Sequence, residues 1–237
     1  MNSIENKLKI YINQSTSRIE LWVKILKYLQ VHRVAEIGVY KGDFASAILS
    51  NYKAIETYYA IDPWRYLEDW NKPMNKNNDF FDQCYEETIT KTKFAGERVK
   101  ILRGKTDEVA DKIQDNSLDF IYIDGDHTLK GVTIDLNIAY RKLQKGGIIG
   151  GDDFRPSIWQ HFAHFEPTCV FPYAVYFAEA VNAQIYALPY DQFLIHKIDG
   201  MPFKFIDFTG NYSDTSIQKQ LNILNYLKLR IRQILSI

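Results

Sequence analysis

Apolar positions along the chain fall into two rhythms. In the N-terminal stretch, residues 1–30, Ile19, Trp22, Leu26 and Leu29 recur at helical spacing with Lys24 and Lys27 between them, which predicts a helix. From Arg33 onward, short apolar runs alternate with longer amphipathic stretches. The runs at 33–38, 57–62, 99–102, 118–124 and 148–151 predict five buried strands. The stretches at 43–49, 80–92, 107–113 and 128–143 predict the helices that join them, the last ended by Lys145-Gly146-Gly147. Strands alternating with helices predict an α/β fold, a mostly parallel sheet covered on both faces. A helix follows at 173–181. The runs 184–188 and 192–196, joined by Pro189-Tyr190-Asp191, read as a hairpin and end the sheet with one antiparallel strand.

Three segments break this rhythm. Residues 63–78 mix Trp64, Tyr66, Trp70 and Pro73 with Asn and Lys and read as a long loop, the kind that borders functional sites. Residues 154–171 read as a second such segment. The stripe Ile217, Leu221, Leu224, Leu227, Ile231 and Ile234 predicts an amphipathic C-terminal helix. That helix is expected to pack on the domain or on a second subunit; its Lys228, Arg230 and Arg232 leave an anionic membrane surface as the other reading. The chain thus divides into an N-terminal helical segment (1–32), an α/β domain (33–200) and a C-terminal extension (201–237).

Charge narrows the partners. Lys and Arg number 29 and so do Asp and Glu, so no net field draws in a polyanion, and no nucleic acid is expected. Two cysteines, Cys84 and Cys169, are neither a disulfide framework nor a zinc pattern, which fits a cytoplasmic setting. No apolar run reads as a signal peptide or a membrane span.

In a doubly wound sheet, ligands bind beyond the carboxyl ends of the strands. Here those ends carry Glu36-Ile37-Gly38, then Asp62, Gly104-Lys105-Thr106-Asp107, Asp124-Gly125-Asp126-His127 and Asp152-Asp153. Gly38 and Gly42 allow a tight turn and close approach of backbone to a ligand. Asp62 lies about twenty residues beyond that turn, where an acid accepts from ribose hydroxyls. Such a set predicts a nucleoside cofactor. A nicotinamide dinucleotide is disfavoured, because Glu36 stands where G-x-G-x-x-G wants its first glycine and would repel a pyrophosphate.

The run Val34-Ala35-Glu36-Ile37-Gly38-Val39-Tyr40-Lys41-Gly42 resembles motif I of class I S-adenosylmethionine-dependent methyltransferases. The runs Leu118 to His127 and Gly146 to Phe154 resemble the small-molecule O-methyltransferase branch, macrocin- and cephalosporin-type enzymes of the methyltransferase family 24 kind, and more distantly catechol O-methyltransferase. The resemblance covers roughly 33–197. It implies a Rossmann-like seven-stranded sheet of order 3-2-1-4-5-7-6, with strand seven antiparallel. It implies S-adenosylmethionine as cofactor, with Glu36 and Gly38 facing its methionine part and Tyr40 and Gly42 among the cofactor-binding residues. Asp62 would take the ribose, Thr106 and Asp107 would lie by the adenine, and Gly104 and Asp124 would also bind the cofactor. The expected partner is a small hydroxylated acceptor, a sugar or natural-product intermediate.

Asp124, Asp152 and Asp153 should converge if their strands are neighbours, and three carboxylates in one pocket call for a proton or a cation. Mg²⁺ is the matching hard cation, and the resemblance implies a magnesium site on these three acids. The alternative is that Asp152 and Asp153 cap a helix and Asp124 ends a strand. His127, with Asp124, forms the candidate catalytic pair, its imidazole titrating near neutrality; equally, His127 could bond Asp126 or the helix start. Trp64, Trp70, Trp159 and Phe162 are candidate walls for the acceptor or core residues. His161 and His164 could pair on a metal, but Pro167 favours a plain loop. A non-catalytic nucleoside-binding scaffold, oligomeric through its terminal helices, is the remaining alternative.

Overall fold

The computed structural model describes residues 3–212. The amphipathic stripe expected at 217–237 lies outside the described residues.

Two helices, α1 (Ser3–Asn13) and α2 (Arg18–Tyr28), stand where one was expected. The break falls at Ser17. Its hydroxyl accepts from the Glu20 amide at 3.2 Å, and the Glu20 carboxylate accepts from the Thr16 amide at 2.8 Å. This reciprocal capping starts α2 afresh. Then come β1 (Arg33–Ile37), α3 (Asp43–Asn51), β2 (Thr57–Asp62), α4 (Asn78–Thr92), β3 (Val99–Arg103) and the short α5 (Thr106–Val109). The chain continues through β4 (Leu118–Ile123), α6 (Leu129–Lys142), β5 (Leu143–Gly151), α7 (Val170–Ala180), β6 (Gln184–Leu188), β7 (Gln192–His196) and β8 (Lys204–Asp207). Asn77 and Thr128 cap α4 and α6 by accepting from Phe80 and Gly131 amides.

The sheet order is β3-β2-β1-β4-β5-β7-β6-β8. β7 runs antiparallel to β5 and to β6, and the other neighbours are parallel. Seven of these positions follow the expected order. The eighth strand does not appear in the sequence reading: Lys204–Asp207 is short and borrows its order from pairing with β6. β5 also starts earlier than expected, directly at the end of α6.

Side chains alternate across the sheet, so each strand feeds two cores. On one face Val34, Tyr58, Phe120, Tyr122 and Ile148 pack against α1, α2, α3 and α4. On the other, Ala35, Ile37, Ile121, Ile149 and Ile195 pack against α6 and α7. Trp22 of α2 fits over β5 only because residue 150 is glycine, where a Cβ would stand 2.2 Å from the indole.

The parallel ladder continues past the strand ends. Gly38 donates to Ile61 O, Gly104 to Asp62 O, Asp124 to Ile37 O and Asp152 to Ile123 O, at 2.8–3.1 Å. Residues after four separate strands are thereby held in one row along the carboxyl edge, with Asp62 at the end of β2 beside them. Cys84 and Cys169 are free thiols. No described helix is long and apolar enough to cross a membrane.

Candidate active site

A cavity of about 400 Å³ opens along that edge. Its volume and its mix of apolar walls with a few polar groups suit a small organic ligand. Gly38, Tyr40, Asp62, Gly104, Thr106, Asp107, Asp124, His127 and Asp153 all line it. Residues spread over more than a hundred positions in sequence thus share one wall.

Gly38 sits where β1 passes β4. Its φ is +87°, and a Cβ there would stand 2.0 Å from Asp124 O. No other residue type fits that crossing. Gly42, at φ +74°, does not line the cavity; it starts α3, and its missing Cβ makes room for Thr88 of α4. Tyr40, Trp64 and Asp153 take positive φ without being glycine.

Asp62 organises the turn. One carboxylate oxygen accepts from the Tyr40 amide and the other from the Trp64 amide, both at 2.8 Å. Burial pushes its pKa up to about 6 against these bonds. The Val39 amide also supports the carboxylate, and of its about four acceptor sites some capacity remains for a hydroxyl of a ligand in the cavity.

Glu36 departs from the expected place. β1 turns it to the sheet face opposite Ile37, where it is fully buried and accepts from Tyr58 Oη at 2.6 Å. Burial raises its pKa well above the usual carboxylate range. It does not line the cavity, so its influence on a ligand runs through the turn it supports.

The acids after β4 and β5 separate into two sets. Asp124 and Asp153 face His127. The His127 Nδ1–H donates to Asp153 Oδ2 at 2.8 Å, and Nε2 lies 3.5 Å from Asp124 Oδ1. Nε2 is buried without a hydrogen-bond partner among the described residues. Burial works to lower the His127 pKa, but the bond to Asp153 and the charges of Asp124 and Asp153 raise it above the usual value. Burial likewise works against Asp153, yet the bond from His127 holds it below the carboxylate range. Asp124 lacks such a bond, and burial pushes it up to about 6.

Asp152 points elsewhere, correcting the expectation of three convergent acids. Its carboxylate pairs with Arg18 of α2 and accepts from Gln192 Nε2 at 2.7 Å. Gln192 Oε1 in turn accepts from Trp22 Nε1 and Tyr122 Oη. Asp153 lies beyond the end of β5 at φ +55°, and its side chain meets His127 while that of Asp152 is held by Arg18 and Gln192. Among the described residues, no group of three or more His, Cys, Asp or Glu side chains is placed to hold a metal. The positive partners of the cluster are His127 and Arg18, and the residues do not fit the expected three-acid magnesium site. The helix-capping alternative fails too, since an irregular segment follows Asp153.

Of the four candidate wall residues, Trp70 lines the cavity and donates to Asp126 at 3.0 Å. Trp64 is core, its indole donating to Tyr40 O at 2.7 Å. Trp159 and Phe162 are exposed on the segment before α7. That segment is loop, as Pro167 suggested, and His161 lines the cavity without a metal-pairing partner in His164.

Sequence reasoning missed Lys72 and Asp135. Lys72 is buried and donates to Glu166 O, Pro167 O and Thr168 Oγ1 at 2.8–3.3 Å, tying the loop after β2 to the segment before α7. Burial lowers its pKa. Asp135 left a signal: it interrupts the buried stripe Gly131, Val132, Leu136 and Ala139 of α6. Lys72 left none, because its partners are backbone atoms of a distant segment.

A glycine turn, a buried acid and a buried histidine–carboxylate pair thus share one cavity at the carboxyl edge of this sheet. The chain belongs to the methyltransferase-domain family, methyltransferase family 24, whose pattern matches residues 35–154. An uncharacterized protein of Acanthamoeba polyphaga mimivirus is 31% identical over 128 residues, 52% of each chain, so the match spans about half the length of that curated relative. Among solved structures, an SAH-bound methyltransferase from Podospora anserina is similar at TM-score 0.53 and 16% identity, covering 84% of this chain and 89% of that one. The O-methyltransferase TomG from Streptomyces achromogenes, solved in complex with SAM, is similar at TM-score 0.53 and 12% identity, covering 84% and 91%. At these identities the likeness is one of fold.

Proposed function

We propose that this protein is an S-adenosylmethionine-dependent O-methyltransferase acting on a small hydroxylated acceptor. The observation that carries the reading is the His127 imidazole on the cavity wall, its Nε2 buried beside Asp124 with no hydrogen-bond partner among the described residues. Membership of a methyltransferase family supports it, as do an SAH-bound and a SAM-bound protein of the same fold.

S-adenosylmethionine would supply an electrophilic methyl group on a sulfonium. Asp62 has acceptor sites left for ribose hydroxyls, and the backbone at Gly38 lets a ligand approach closely. Because the Asp153 carboxylate only accepts, the Nδ1 proton of His127 is fixed and Nε2 presents its lone pair. His127 then takes the acceptor's hydroxyl proton at Nε2 while the acceptor oxygen forms its new bond to the methyl carbon. The methyl donor would keep the electron pair of its broken carbon–sulfur bond, and the His127 imidazolium would pass its proton to water. Asp153 stabilises that imidazolium, and Asp124 adds negative potential at 3.5 Å. Trp70, His161 and Glu166 border the remaining space and would face the acceptor.

Magnesium plays no part in this reading, because Asp152 is committed to Arg18 and Gln192. Turnover of a hydroxylated acceptor panel before and after exhaustive chelation checks that. Loss restored by Mg²⁺, and absent in Asp152→Asn, would return the three acids to a metal.

The base assignment is tested by a pH profile of kcat/KM. Wild type should show an ascending limb with a midpoint above about 6.5, the ordinary histidine value. Asp153→Asn should move it down, and His127→Gln should lower kcat by roughly 10²–10⁴-fold. Full activity in His127→Gln would reject the base. Cofactor binding with no acceptor ever turned over would favour a nucleoside-binding scaffold.

A further inference from the structure

Asp152 stands one residue before the carboxylate that holds His127, and both of its oxygens are engaged. Oδ2 takes the Arg18 guanidinium, and Oδ1 accepts from Gln192 Nε2 at 2.7 Å and from the Asp153 backbone amide at 2.8 Å. The last of these bonds fixes the next residue. Asp153 has φ +55°, a left-handed conformation that costs a non-glycine residue and persists where neighbours hold it. The bond to its amide is one hold, and the Arg155 amide donating to Asp153 O at 2.9 Å is another.

α2 delivers the guanidinium by register. Trp22 is fully buried over Gly150, and its Nε1 donates to Gln192 Oε1 at 2.8 Å. Arg18 lies four residues earlier, a rise of about 6 Å along a helix. Asp152 lies two residues after Gly150, about 6.6 Å along a strand. The two steps match, so the seat of the indole sets Arg18 beside Asp152. The Asp152 carboxylate is 16% exposed, so water is a poor substitute for the guanidinium there.

Asp153 in turn decides which nitrogen of His127 carries the proton. It accepts from Nδ1 at 2.8 Å, while Asp124 Oδ1 stands 3.5 Å from Nε2. A neutral ring protonated at Nε2 would turn that N–H toward Asp124 and offer no lone pair to an acceptor hydroxyl. We propose that Arg18 is a positioning residue for the base: through Asp152 it holds the left-handed turn at Asp153, which keeps the proton of His127 on Nδ1. The cation beside Asp152 is thus a side chain of α2, and it serves the base rather than the acceptor.

The service to a base rests on the methyl-transfer reading; the hold on His127 is tested apart from it. Nitrogen-15 NMR of ring-labelled histidine, at alkaline pH where imidazole is neutral, reads the tautomer without cofactor or acceptor, and His127→Gln assigns the signal. Wild type should be protonated at Nδ1. Arg18→Gln and Asp152→Ala should each move roughly half or more of the His127 population to the Nε2-protonated form, and the double variant should move it no further. With an acceptor turned over from the hydroxylated panel, each variant should lower kcat roughly 10-fold or more and keep S-adenosylhomocysteine affinity within a few-fold.

A merely structural role for Arg18 would lower Tm and leave the proton on Nδ1, which overturns the inference. So does an Nε2-protonated ring in wild type, or an additive loss of kcat in the double variant, which would mean that Arg18 does not act through Asp152. Should Arg18→Gln fail to fold, Asp152→Ala decides alone, and an unchanged tautomer there overturns the inference too. Wild type that binds no S-adenosylhomocysteine removes the methyl-transfer reading instead, and the tautomer still decides what Arg18 holds.

Discussion

Replacing Gly38 by alanine perturbs a single point where two strand ends meet. The added Cβ would stand 2.0 Å from Asp124 O, 2.4 Å from Asp124 C and 2.6 Å from Gly125 Cα. All three are backbone atoms, so no side chain can swing away. The backbone at φ +87° adds its own strain, about 1–2 kcal/mol for an L-residue. Forcing atoms into a packed interior adds about 1–3 kcal/mol. Together these predict a loss of about 2–5 kcal/mol. Gly146 supplies the control, with φ +80° but nothing within 4 Å of its Cβ. Gly146→Ala should carry the φ strain alone, about 1–2 kcal/mol. For a chain of this size each kcal/mol shifts Tm by about 2–4 °C. Differential scanning calorimetry should therefore place Gly38→Ala below Gly146→Ala by about 2–12 °C. Equal shifts in the two variants would show that the β1–β4 crossing yields freely and that Gly38 is needed only for its φ. Under the proposed function, Gly38→Ala should also weaken S-adenosylhomocysteine, whereas Gly146→Ala should not.

Lys72→Met leaves Glu166 O and Pro167 O without their ammonium donor. Each unpaired group costs about 1–3 kcal/mol, so hydrogen exchange across 155–169 should accelerate at least roughly 5-fold while α7 stays protected; unchanged exchange would mean the two loops hold together without the lysine. Asp135 gives a pH dependence. Burial raises its pKa from 3.8 to about 7, so its proton is bound more tightly in the folded chain. The stabilisation is complete below about pH 4 and is lost as pH rises to about 7, a difference of about 4 kcal/mol by linkage. Urea unfolding at pH 4.5 and pH 8 should show wild type losing that stability relative to Asp135→Asn, and a constant difference between the two proteins would contradict the assignment.

Much of the sheet was legible because burial on both faces writes parallel strands as short continuous apolar runs. Val34, Ile61, Phe120 and Ile148 each sit in such a run, and the hairpin after α7 declared itself through Pro189-Tyr190-Asp191. β8 was hidden, because four residues with a polar residue at each end need the edge of β6 to become a strand. The break between α1 and α2 was equally hidden, resting on the capping exchange of Ser17, Glu20 and Thr16.

For the site, the sequence by itself determined which residues gather at the carboxyl edge, because strand ends in a doubly wound sheet must share that edge. Gly38, Asp62, Thr106, Asp124 and His127 follow from this rule alone. Only the tertiary structure decided where each side chain points. Glu36 turns under the sheet to Tyr58, and Asp152 turns to Arg18 while its neighbour Asp153 turns to His127. For Glu36 the physical reason is the alternation of faces along β1, and for Asp153 it is the left-handed turn of the backbone just beyond β5. Arg18 and Lys72 gained their meaning from contacts across tens of residues, which no local pattern encodes.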